Sequence, residues 1–211
     1  MAALFPDRIE TDRLRLEAAD PETVDANDLY HAYSGPELED VMAYVPAEPY
    51  ETPREPCEFL ESAASNRANG RAVTYAIYPR EGEDGAGELA GTTTLFVNWE
   101  RRSAGLAIVL RKRFWGRGYS GERAGAMLEV AFEDLDLDLV AVSCLPENER
   151  SRRAIEKYVD RFGGQYDGLI RNARVIDDDP VDLRRYTIDA TAYGEATGGR
   201  ERRANATTRR A

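Results

Sequence analysis

Apolar residues along the chain switch between two spacings, and the switches mark the elements. Thr11–Glu17 alternates, with Leu14 and Leu16 on one face, and predicts a first strand. Pro21–Ser34 then reads as helix, with Val24, Leu29 and Tyr33 inward, and a second helical piece over Glu37–Tyr44 stops before Pro46. Pro53–Asn69 is a third helix, with Pro53 near its start and Gly70 just beyond its end. Pro56 falls in its first turn, where a missing N–H costs little. Cys57, Phe59 and Leu60 face inward on this reading, so Cys57 is expected in the core. Ala72–Tyr78, Leu89–Val97 and a run ending at Leu110 are strands, joined by the charged Pro79–Gly87 turn and by Asn98–Arg102. Together they form an antiparallel meander.

Beyond Leu110 the period changes. Leu128, Ala131, Phe132 and Leu135 make a helical stripe, Leu139–Cys144 a buried-type strand, and Pro146-Glu147-Asn148 opens another helix. The stripe of that helix is Ala154, Ile155, Tyr158, Val159 and Phe162, and Gly163-Gly164 ends it. Gln165–Ile170 and Leu183–Ile188 read as a last pair of strands around the acidic Asp177–Pro180 turn. From Gly194 no apolar period remains, and five arginines stand against two glutamates. The organisation expected is one domain over residues 1–193 and a disordered basic tail over 194–211. No internal repeat is visible.

Charge narrows the function. The 211 residues carry a net charge of -11, which argues against a nucleic-acid-binding surface. Lys112 and Lys157 are the only lysines. Much acid with little lysine resembles the composition of proteins from salt-adapted organisms, in which a solvated acidic surface maintains solubility. Two cysteines make no disulfide framework, and neither a membrane-length apolar run nor a signal-peptide pattern is present, so a cytoplasmic protein is expected. His31, the only histidine, reads as a surface or packing residue, and no metal site is expected. Cys144 reads as a buried, inert thiol.

The candidate chemistry lies in Arg111–Glu122, where a strand passes through a basic glycine turn into a helix. That order brings backbone N–H groups and a helix N-terminus to one place, which suits a phosphate or pyrophosphate. Gly116-x-Gly118-x-x-Gly121 fits the dinucleotide pattern G-x-G-x-x-G in form. That pattern wants its first glycine directly after a strand of a βαβ unit, whereas here five residues intervene after an antiparallel run. A glycine turn with solvated arginines is the third reading of these letters.

Trp115-Gly116-Arg117-Gly118-Tyr119-Ser120-Gly121-Glu122 closely resembles the W-G-K-G-Y-A-x-E acyl-coenzyme A loop of the RimJ/RimL-like branch of GNAT acetyltransferases. One helix and one strand later, Asn148-x-x-Ser151 with Glu156-Lys157 resembles that family's N-x-x-S-x-x-x-x-E-K motif. Thr11-x-Arg13-Leu14 resembles the branch's T-x-R-L opening, and Gln165–Gly168 with Arg171, then Val181–Tyr186, resemble its last strands. The resemblance implies a mixed α/β (α+β) fold with a twisted, mostly antiparallel sheet of about seven strands flanked by helices, splayed between the fourth and fifth strands. It also implies acetyl-coenzyme A as cosubstrate, with Leu110, Gly116, Arg117, Gly118, Tyr119, Ser120, Gly121, Asn148 and Ser151 as its binding residues.

The departures carry weight as well. The position of the family's general-acid tyrosine, seven residues after Asn148, holds Ile155, and Ser103–Leu106 lacks the glutamate that many members carry. Trp115 and Ser120 depart from the general loop motif, and Val159–Gly164 lengthens the helix end. Ser151 is therefore the candidate to protonate a leaving thiolate, set against a role in packing or capping. Acetyl transfer to a primary amine is expected, either a protein N-terminal α-amine or a small amine such as a polyamine or antibiotic. The alternatives are a non-catalytic acyl-coenzyme A-binding module and a nicotinamide-dependent oxidoreductase. Neither a nucleic-acid nor a membrane partner is expected, and the chain is expected to be a monomer or homodimer.

Overall fold

The computed structural model describes residues 4–34, 38, 41, 44, 48–176 and 178–198. One eight-stranded sheet runs in the order β1-β2-β3-β4-β5-β6-β8-β7. The short β1 (Arg8–Glu10), unread in the sequence, pairs with β2 (Leu14–Ala18). Three antiparallel neighbours follow: β3 (Ala72–Pro79), β4 (Gly91–Asn98) and β5 (Ser103–Leu110). β3 is buried along its whole length, which is why Ala72–Tyr78 shows no clean alternation. β6 (Leu139–Cys144) pairs parallel with β5, and the remaining strands are antiparallel.

The last two strands are longer than their apolar letters suggested. β7 (Gln165–Ile176) and β8 (Asp179–Asp189) form an extended hairpin, with β8 between β6 and β7. Their outer halves are largely exposed, Val175 included, so ladder hydrogen bonds rather than a buried face hold them.

Helices cover both faces. α1 (Ala26–Ala32) and α2 (Arg54–Ala68) pack on one side over Ala76, Tyr78 and Leu89. α1 is shorter than its expected range because Asp25 caps its N-terminus, although Val24, Leu29 and Tyr33 are buried as read. The helical piece expected over Glu37–Tyr44 falls on residues of which only Leu38, Val41 and Tyr44 are described. Cys57 corrects the sequence reading. It is exposed on α2, whereas Pro56 and Leu60 face inward, so the buried stripe is turned by one residue. The neighbouring Pro53 carbonyl is its Sγ contact, 3.5 Å away.

On the other face lie α3 (Tyr119–Glu129), continued by a π-helical turn over Val130–Asp134, and α4 (Glu149–Arg161). The expected stripe is buried here: Leu128, Ala131, Phe132 and Leu135 pack with Ile155, Tyr158 and Val159 against Leu106, Val140 and Val142. Each large side chain so buried contributes about 2–3 kcal/mol. α5 (Ala190–Thr197), capped by Asp189, runs through Gly194, where the tail was expected to begin. Its Tyr193 ring sits 5.1 Å from Phe132 and 5.9 Å from Phe162. Residues 199–211 lie outside the described residues.

Candidate active site

β5 and β6 pair only at Ser103↔Leu139, Ala104↔Val140 and Gly105↔Ala141, and then part. β5 continues against β4 to Gly91↔Leu110, while β6 continues against β8 to Cys144↔Arg184. The splay expected between the fourth and fifth strands is therefore present, between β5 and β6 once β1 is counted. Backbone groups of β5 alternate in direction, so between Leu106 and Leu110 some N–H groups face the gap with no strand opposite. Such groups suit a polarised carbonyl oxygen.

The glycine turn stands at one lip. Gly116 and Gly118 have φ of 78° and 83°, the left-handed region that other residues enter at a cost, and Gly118 is the N-cap of α3. The N–H groups of residues 116–120 make no hydrogen bond to a described residue, while Gly121 and Glu122 already donate to the Gly118 carbonyl. The main-chain donors of Gly116, Arg117, Gly118, Tyr119 and Ser120 are thus left free at the start of the helix, the arrangement that suits an anion.

The side chains of the turn are engaged elsewhere. The Arg117 guanidinium donates to the Asp84 carboxylate at 2.6 Å and carbonyl at 2.8 Å. The Tyr119 ring is 1% exposed and its hydroxyl donates to Glu83 at 2.7 Å. Its pKa is raised, first by burial and then by that bond.

Glu122 holds the turn to the beginning of the chain. Its carboxylate accepts from the Thr11 hydroxyl at 2.6 Å, the Arg13 N–H at 2.7 Å and Arg13 Nε at 2.7 Å. Arg13 Nη1 also donates to the Arg117 carbonyl at 2.8 Å. Burial alone would raise the Glu122 pKa, but the Thr11 and Arg13 donors outweigh it and the net shift is downward. In the sequence Thr11 and Arg13 stand in one motif and Glu122 in another. Nothing in the letters tied residues 109 positions apart.

The other lip is the start of α4. Asn148 is its N-cap, accepting from the Ser151 N–H at 2.9 Å. Ser151 is half-buried, and its hydroxyl neighbours the Cys144 thiol. Cys144 is buried; burial raises its pKa, against smaller pulls from Arg184 and Ser151. A thiol held protonated is a poor nucleophile. Tyr158 is also buried, its pKa pushed up to about 12 by burial against the Arg123 guanidinium, and it stands in the core rather than at the lip.

Arg150 and Arg123 carry no signal in the sequence. Trp115 Nε1 donates to the Leu110 carbonyl at 2.8 Å, and the Arg150 guanidinium lies 3.9 Å above the indole centroid. This stack joins the end of β5 to the first turn of α4. Arg123, fully buried without a carboxylate partner, donates to Thr93 Oγ1 at 3.2 Å. An arginine inside a helical stripe is read as exposed, so neither period nor spacing would reveal it.

Among the described residues no cluster of His, Cys, Asp and Glu could hold a metal ion, and no helix is long and apolar enough to cross a membrane.

A strand splay with unpaired main-chain donors at one lip and a capped helix at the other can seat an extended acyl thioester beside an anion site. Comparison with known proteins agrees. Residues 13–158 match the model of the acetyltransferase (GNAT) domain. The chain is 22% identical over 194 residues to an uncharacterized N-acetyltransferase, p20, of Bacillus licheniformis, covering 92% of this chain and 99% of the relative. RimL, a ribosomal L7/L12 α-N-protein acetyltransferase, superposes with TM-score 0.71 at 16% identity, over 86% of this chain and 93% of its own. Spermidine N-acetyltransferase from Vibrio cholerae, solved with CoA and spermine, gives TM-score 0.67 at 20% identity, over 87% and 99%. At these identities the solved structures share the fold, and it is the domain match that assigns the family. The chain belongs to the GNAT acetyltransferases and is an N-acetyltransferase that uses acetyl-coenzyme A.

Proposed function

We propose that the chain acetylates a primary amine by direct attack within a ternary complex, and that a protein N-terminal α-amine is its acceptor. The observation that carries this reading is the parting of β5 and β6 beyond Gly105↔Ala141, with the glycine turn and the Asn148-capped helix on its two lips. The main chain of residues 116–120 receives the pyrophosphate, and Leu110 flanks the pantetheine arm. Acetyl-coenzyme A supplies an activated acyl group. The amine nitrogen bonds to the acyl carbon as the carbon–sulfur bond breaks, the amine loses a proton to water, and Ser151 gives its hydroxyl proton to the leaving thiolate. Ser151 then recovers a proton from solvent.

An α-amine has a pKa near 8, which leaves a useful neutral fraction at physiological pH without a strong base. That suits a strand lacking the family's glutamate. RimL supports an α-amine acceptor, while the spermidine enzyme represents the second reading, a polyamine. Incubation with labelled acetyl-coenzyme A and a panel of amines decides between them. Label on peptide N-termini supports the proposal, label on spermidine alone supports the second reading, and coenzyme A binding without transfer leaves only a binding module.

A further inference from the structure

A cleft of about 390 Å³ opens on the sheet face opposite α3 and α4. It is lined by Gly105 and Ala141, the last β5–β6 pair before the strands part, so it begins at the apex of the splay. Its far wall comes from the β7–β8 hairpin, through Ile170 and Arg185. Arg101, from the β4–β5 turn, lines it as well, and no carboxylate does. In a chain of net charge -11 that is a local reversal of sign.

Both guanidiniums have capacity left. Arg185 Nε lies 3.4 Å from Asp167, whose other oxygen already accepts from Thr187 at 2.8 Å, and no described residue pairs with the Arg185 Nη nitrogens. The Arg101 guanidinium has no described partner. Arg185 stands opposite Ser143, two strand residues past Ala141 and so about 7 Å from the apex.

We infer that the acceptor carries a carboxylate close to its reacting amine, and that Arg101 and Arg185 read it. Resting on the proposed transferase activity, this assigns its substrate class: a peptide N-terminus with an acidic residue in its first two positions. The amine sits at the apex, where the thioester is reached through the splay, and the carboxylate takes the guanidinium fork. Ile170 supplies an apolar wall for the intervening backbone. A polyamine would bring cationic groups against two arginines with only Asp167, already shared with Arg185 and Thr187, to offset them, a repulsion that works against binding.

The test compares Ala-Asp-Ala-amide, Ala-Asn-Ala-amide, free glutamate and spermidine as acceptors, reading kcat/KM from thiol release. The aspartyl peptide is expected to exceed the asparaginyl one by about tenfold or more. Arg185→Ala and Arg101→Ala should shrink that ratio toward one while the KM for acetyl-coenzyme A stays unchanged. Arg185→Glu should shift preference toward a lysyl peptide. If free glutamate outperforms the peptide, the carboxylate is read on a small molecule and the peptide assignment is overturned. Equal rates for the two peptides overturn this inference alone, and spermidine as best acceptor overturns it together with the α-amine acceptor while the transferase activity stands. No transfer to any amine, with coenzyme A still bound, overturns the transferase proposal together with it.

Discussion

Glu122 illustrates how much one side chain can organise. It is 16% exposed and accepts three hydrogen bonds from Thr11 and Arg13. Glu122→Gln keeps the shape but loses the charge, and is expected to lower stability by about 2 kcal/mol at pH 7. Because the folded-state pKa is depressed, the stabilisation is fully present above the ordinary carboxylate pKa. It is lost as pH falls through the lower folded value. Urea titrations at pH 7 and pH 3 should therefore show a wild-type advantage at the first that shrinks at the second; an equal gap at both would show that the charge is not responsible. Ser151 makes a different prediction. Ser151→Ala should lower kcat about 10²-fold with acetyl-coenzyme A affinity within a few-fold of wild type. Full turnover in that variant would leave Ser151 as a packing residue and pass the proton to bound water.

At the level of elements, the lip of the splay depends on how closely β4 approaches β5. A Cβ built on Gly91 would meet the Val109 carbonyl oxygen at 2.1 Å and the Leu110 Cα at 2.9 Å. Gly91→Ala must push the end of β5 away, at about 1–3 kcal/mol. Coenzyme A affinity should fall with stability, since Leu110 and the turn after it move together. Calorimetry beside a urea midpoint tests this, and unchanged affinity in a destabilised protein would uncouple β5 from the cofactor. The elements themselves were largely legible. The helical stripe of α3 and the buried run of β6 had the right period because each packs on one continuous core face. β1 and the outer halves of β7 and β8 were not, since main-chain pairing holds them and leaves no apolar pattern. Cys57 was misplaced because a helix with few large apolar residues leaves its phase open by one position.

Across the whole molecule, self-repulsion should matter. A net charge of -11 is carried on a surface whose ion pairs are mostly exposed, such as Arg54–Glu58 at 83% and 56% side-chain exposure. Such pairs contribute little, whereas screening relieves the excess of acid. The melting temperature is expected to rise as KCl increases from about 0.1 to 1 M; a flat or falling curve would show that repulsion does not limit stability. The sequence by itself determined the order of the strands from β2 onward and of the helices up to α4, the glycine turn, the helix opening at Asn148 and the family likeness. Those are properties of local period, backbone freedom and short motifs, all written within about a dozen neighbouring residues. Only the tertiary structure decided that Thr11 and Arg13 clamp the turn through Glu122 and that Trp115 and Arg150 stack across the splay. It also engaged the Arg117 and Tyr119 side chains with Asp84 and Glu83 and brought Arg101 and Arg185 to one cleft. These contacts join residues far apart in the chain, and chain closure, not local pattern, selects them.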